Sequence, residues 1–302
     1  MRVSTSQLFN RTISEIGKQN AELDRLQKQI ASGSKILTPS DNPADATRIV
    51  ELDRAISRNE QFIRNGDYAF NRLSQSETTL EAVDQSLDRV QGLMFGNYGS
   101  TYSSRVQLAR QLRDELSIIT DLANTRDTNG DYLYAGHDVN TKPFTVNAAG
   151  NVVYTGDNGK RNIQIAENRR IPDSNSGDEI FVNTGAGRSV FAMIESVIAE
   201  LENPAATTAS VAAVVDTATV DLATEKDNLT FVRNSIASRI GMIQTEQEIN
   251  KQVNNTLTDQ KASLHDVDMT EAILKLNQFQ TSLQAAQQAF AKTQQLSLFN
   301  YI

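Results

Sequence analysis

The sequence predicts a mainly α protein with a small β insert, an elongated antiparallel helical bundle or coiled coil whose N- and C-termini pair. Three observations predict it. One series of apolar and small residues at alternating spacings of three and four runs from Leu52 to Met94 without a skip. Alternating, turn-rich sequence is confined to the middle, from Gly136 to Phe181. Hydrophobic residues make up only 39% of 302, aromatics 6%, and Trp is absent. A single large globular core would need more bulky volume, whereas a long helix buries only one stripe.

The first element is a helix by period. Phe9, Ile13, Ile16, Asn20, Leu23, Gln27 and Ile30 recur at spacings of four and three. Asn20 and Gln27 interrupt the stripe, and polar residues there weaken a coiled coil while fixing its register. Ala31-Ser32-Gly33-Ser34 stops the helix. In the next stretch, Pro39 and Pro43 forbid a helix running straight through. Asn42 suits an N-cap, Pro43 the first helical position and Asp45 the first turn, so a new helix starts near Pro43.

That second helix carries the long series: Leu52, Ala55, Asn59, Phe62, Gly66, Ala69, Leu73, Ser76, Leu80, Val83, Leu87, Val90 and Met94. It should end around Gly96 to Ser100, with a further helix from about Ser104 to Asn124. The middle then turns repeatedly. Asn158-Gly159 between VVYT and RNIQI predicts a hairpin turn in a small antiparallel region.

Helix returns at Ser189 to Glu202, and Pro204 breaks it. Thr208 to Ser263 reads as helix with an apolar face of Leu229, Val232, Ile236, Ile240, Ile243, Asn250, Val253 and Leu257. Asp268 with Glu271 three residues on forms a capping box that restarts helix. The last stripe is Met269, Ala272, Leu276, Phe279, Leu283, Ala286 and Phe290. Two central helices of about fifty residues would each span about 75 Å.

The two halves mirror each other about the β insert. Residues 1–42 with 264–302 form an expected terminal coiled-coil assembly domain. Residues 43–135 with 188–263 form a helical rod domain, and 136–187 an outer β domain. The assembly interface is expected at Phe9, Ile13, Ile16, Leu23, Ile30, Leu276, Phe279, Leu283, Phe290 and Leu296. The outer faces of the last helix are Gln-, Ala- and Thr-rich with few charges, which suits contact with further protein better than water. An end domain with so little core should order only on assembly.

Other function classes find little support. Net charge is −8 and the isoelectric point about 5.0, so neither nucleic acid nor an anionic membrane is attracted overall. No apolar run approaches the ~20 residues of a membrane helix, and the N-terminus lacks the core of a Sec-type signal. With no cysteine, disulfides and thiolate chemistry are out. His265 near Asp266 and Asp268 is too few ligands for a metal site. Gly156 to Arg161 lacks phosphate-loop spacing, and Asp127 to Asp138 departs from a calcium loop at the glycine and at position twelve. No catalytic residue, cofactor or metal is expected.

Five stretches taken together carry a family resemblance. MRVSTSQLFNRTISEI, LQKQIASGSKILTPSDNPADATRIVEL, GDYLYAGHDVNTKPF, SRIGMIQTEQ and HDVDMTEAILKLNQFQTSLQAAQQAFAKTQQLSLFNYI resemble, in that order, the flagellar hook-associated protein 3 family. These are flagellin-related hook–filament junction proteins, and the resemblance covers nearly the whole chain. It implies a flagellin-like fold and a structural protein of the extracellular bacterial flagellum, exported unfolded by a type III apparatus. It implies a homo-oligomeric ring between hook-associated protein 1 and flagellin, and a cytoplasmic export chaperone on the C-terminal helix. It implies terminal helices lining a central channel and a β domain facing outward. The alternative is a flagellin-type main filament subunit; the absent Asn-Thr-Asn opening, ILTPSDNPADA and DYLYAG favour the junction protein.

Overall fold

The computed structural model describes residues 5–95, 101–182 and 189–299. Six α-helices form, α1 (Thr5–Ser32), α2 (Pro43–Met94), α3 (Tyr102–Ala123), α4 (Val190–Glu202), α5 (Thr208–His265) and α6 (Met269–Phe299), with a short π-helical segment at Asp178–Val182. Four strands lie between α3 and α4: β1 (Phe144–Val146), β2 (Val152–Tyr154), β3 (Asn162–Ala166) and β4 (Arg169–Pro172). The expected end of α2 at Gly96 to Ser100 lies outside the described residues. Two compact units result: Met1–Arg58 with Val253–Ile302, and Asn59–Gln252.

In the larger unit the α2 series does what its period demands. Every position from Ala69 to Met94 in that series is buried, and Leu73, Leu80 and Val90 are fully so. On α5 the buried series is Val211, Val215, Ala218, Leu222, Glu225, Leu229, Val232, Ile236, Arg239 and Ile243. Shorter α3 and α4 pack on each other and add Leu112, Ile119, Ile194 and Leu201 to the same core. Local chemistry sets the helix ends. The Thr101 hydroxyl accepts from the Ser104 amide and the Ser189 hydroxyl from the Ala192 amide, while Thr207 and Ser210 exchange side-chain and backbone bonds at the start of α5.

The β region corrects one expectation. VVYT and RNIQI do not pair across Asn158-Gly159. Instead β1 pairs with β2 and β3 with β4, as two separate antiparallel hairpins. Asn147 organises the first turn by accepting from the Ala149 and Asn151 amides, and Glu167-Asn168 close the second. Asn158-Gly159 lies in the link between the hairpins, which Asp157 gathers up. Its carboxylate accepts from the amides of His137, Asp138 and Gly159 at 2.6–3.0 Å. A Cβ on Gly159 would stand 1.5 Å from His137 Nδ1, so a side chain there would displace the exposed His137 ring, a close approach unrelated to any hairpin turn.

The hairpins are packed against helices. Phe144, Phe181, Phe191, Tyr154 and Tyr134 form an aromatic cluster with centroids 5.0–5.9 Å apart. The Arg239 guanidinium donates to the Pro172 carbonyl and Asn175, the Asn250 amide to the Ile165 carbonyl, and Asn65 to the Gln164 carbonyl. The DTNGD turn is held from inside by Asp127, which is buried with Arg72 as an ion pair and also accepts from the Asn129 and Asp131 amides. Arg72 donates as well to the Tyr132 carbonyl, which adds a hydrogen bond to the buried pair, while its Nε is buried without a partner among the described residues.

Candidate assembly interface

The candidate site is the terminal unit, and it is built from two breakers and two stripes. Gly33, with φ +71°, is the left-handed residue that ends α1. Beyond it the chain folds back on itself: the Gln29 side chain donates to the Lys35 carbonyl and the Ser34 hydroxyl to the Ile36 carbonyl. The TPSDNP elbow is closed by Asp41, whose carboxylate accepts from the Thr38 and Leu37 amides. The Thr38 amide, foremost, holds this carboxyl below its ordinary range, helped by Leu37 and by the charge of Arg25. Asn42 then caps α2 by accepting from the Asp45 amide.

On the other side, Asp268 caps α6 by accepting from the Thr270 and Glu271 amides. Only this half of the expected capping box forms, because the Glu271 carboxylate turns forward to Lys275 at 2.6 Å. His265 stands 2.9 Å from Asp266, and the Asp268 carboxylate is occupied by the cap. Sequence reading found both breakers but not that they bond to each other. The Lys35 amide donates to the His265 carbonyl at 2.7 Å and the Val267 amide to the Gly33 carbonyl at 3.0 Å, closing a Ser34–Asp266 bridge.

From this bridge α1 and α6 run antiparallel and pack on each other. On α6 the inner stripe is as expected from Ala272 onward: Ala272 is buried, and Leu276, Phe279, Leu283, Ala286 and Phe290 are partly buried. Met269 stands outside it, 45% exposed. On α1 the stripe differs. The partly covered positions are Thr12, Ile16, Gln19, Leu23, Leu26, Gln29 and Ile30, while Ile13 is 48% exposed and Asn20 and Gln27 face water. The expected series holds Ile13, yet the more polar Thr12 is the residue turned inward. The observed series keeps Leu26 inside and accepts Thr12 and Gln19 in exchange. Phe9 and Leu296 lie outside the residues whose side chains are described.

No described side chain of α1 is fully buried, and on α6 only Ala272 is. Two helices alone cannot cover both sides of a shared stripe. Ile13, Ile273 and Leu274 add apolar surface beyond the seam at 48%, 45% and 65% exposure. Around the breakers, an open cleft of about 660 Å3 mixes Arg25, Lys35 and Lys275 with Glu22, Asp41, Asp45, Asp266, Asp268 and Glu271. Acidic residues outnumber basic ones six to three, so the cleft is net negative. Among the described residues no group of His, Asp or Glu has an arrangement suited to a metal ion, and no helix is long and apolar enough to cross a membrane.

Paired terminal helices with an unfinished seam define a helical assembly subunit. The particular family follows from comparison with known proteins. The bacterial flagellin N-terminal helical region matches residues 3–138, and the bacterial flagellin C-terminal helical region matches residues 212–302. The chain belongs to the flagellin family. It is 27% identical over 316 residues to flagellar hook-associated protein 3 of Escherichia coli (strain K12), covering 99% of both chains. A putative flagellar hook-associated protein from Vibrio parahaemolyticus superposes with a TM-score of 0.68 at 21% identity, over 75% of this chain and 100% of that one. The flagellar junction protein FlgL from Legionella pneumophila gives 0.58 at 17% identity, over 66% and 99%. Within the family, these relatives favour the hook-associated branch over filament flagellin.

Proposed function

We propose that this chain is the structural subunit of the bacterial flagellum that joins hook to filament and allows flagellin to assemble. The observation that carries this reading is the match to hook-associated protein 3 over 99% of both chains. In this reading the chain is exported and acts outside the cell as a passive adaptor rather than an enzyme. Copies form a ring between hook-associated protein 1 and flagellin, and an export chaperone escorts the C-terminal helix. The assembly contacts fall on Ile16, Leu23, Ile30, Leu276, Phe279, Leu283 and Phe290, with Ile13 on a second exposed face. The half-exposed seam supports this assignment, since neighbouring copies would cover what two helices leave open.

A strain deleted for the gene tests it. It is expected to build hooks without filaments and to release flagellin monomer, and a plasmid copy should restore filaments. Normal filaments in the deletion strain would overturn the reading. Long filaments grown from the purified protein alone would favour a main filament subunit instead.

A further inference from the structure

We propose that the backbone clasp between the two breakers sets the register of the terminal helix pair, so that α1 residue i faces α6 residue 302 − i. The two partly buried series share one spacing. Read antiparallel, Thr12, Ile16, Gln19, Leu23, Leu26 and Ile30 fall opposite Phe290, Ala286, Leu283, Phe279, Leu276 and Ala272. Two independent points fix this alignment. Ile16 and Ala286 line one groove of the pair, and the Ser34–Asp266 bridge lies just beyond the Ile30–Ala272 level.

Side-chain volumes agree with this register. Ile30 and Ile16 each meet an alanine, and Phe290 meets the small Thr12. A slip of one heptad would set Ile16 against Phe279 and Leu23 against Ala272, crowding one layer and emptying the other. Yet the seam resists a slip weakly by itself. All its layers are partly exposed, and the Gln19 carbonyl oxygen is buried without a hydrogen-bond partner among the described residues. The clasp supplies what the seam lacks. The Lys35–His265 and Val267–Gly33 bonds join the segment following α1 to the end of α5 and the link into α6, and they cannot persist if either helix slides by a turn. Gly33 at φ +71° and the Ser34 and Gln29 side-chain bonds hold the α1 side of the clasp in shape.

The inference concerns the single chain and does not rest on the junction reading. The absence of cysteine allows a direct test in the full-length protein. Ile16→Cys with Ala286→Cys reports the proposed register, and Ile16→Cys with Phe279→Cys reports a one-heptad slip. After mild oxidation, gel mobility is expected to show the first pair cross-linked roughly tenfold more than the second, since two net hydrogen bonds suffice for such a ratio. Lys35→Pro together with Val267→Pro removes both donor amides and should bring the ratio towards one. An unchanged ratio in the proline background would overturn the proposal. So would equal cross-linking, or none, with the clasp intact. An unaltered melt of the larger unit controls against general unfolding.

Discussion

The two units carry the same heptad grammar and bury it to very different depths. In the larger unit, α2 and α5 hide whole rows of side chains; in the terminal unit, α1 and α6 hide almost none. The contiguous core draws every one of its residues from positions 69 to 243. The stripes themselves do not explain this, since Leu276, Phe279, Leu283 and Phe290 are as apolar as anything on α2. Covering does. Around the middle of the chain α3, α4 and two hairpins close the sides that a helix pair leaves open, and Arg72, Asp127, Arg239 and Asn250 bond the hairpins and turns down. Among the described residues the terminal pair has no such cover. Where the core is complete, stability is local; where it is incomplete, stability waits for a partner.

Three substitutions test that contrast. Leu80→Asp is the harshest, because it places an uncompensated charge at a fully buried position. It should cost more than about 4 kcal/mol and remove the cooperative melt of the larger unit; an unaltered melting curve would refute the assigned core. Leu283→Asp should leave that melt within a degree or two and abolish incorporation into flagella, because it charges the half-open seam. Normal incorporation would show that the seam is not an assembly surface.

The smallest effect is electrostatic. The His137 amide, foremost, holds the Asp157 carboxyl below its ordinary range, with the Gly159 and Asp138 amides helping. A depressed carboxyl contributes stability above its unfolded value of about 4, and that contribution is lost as pH falls through the lowered folded value. Asp157→Asn should therefore lower the neutral melting temperature slightly and converge with the unsubstituted protein in acid, which flattens the acid limb of melting temperature against pH below about pH 4. Identical acid limbs would show that the link between hairpins does not depend on this charge.

Much of the architecture was legible in the sequence. The α2 series needed only its period, since thirteen consecutive heptad positions leave one face to bury. Pro39, Pro43, Gly33 and Asp268 marked the helix ends because each acts through its own backbone geometry or its own short hydrogen bonds. The observed α1 stripe differs from the expected one by one position in several places. Thr12 and Gln19 are inside because α6 offers Phe290 and Leu283 opposite them, and no property of α1 alone reveals the partner's layer. Asn158-Gly159 has the composition of a hairpin turn, yet Asp157 bonds three amides around it and draws the chain into a link.

The sequence by itself determined the helices, their breaks, the confinement of β structure to the middle, and the resemblance that named the family. Those features follow from local periods, caps and fixed dihedrals. Only the tertiary structure decided which strands pair, which face of α1 turns inward, and that the two breakers bond to each other. Those outcomes depend on residues far apart in the chain, such as Lys35 with His265, whose meeting no local pattern encodes.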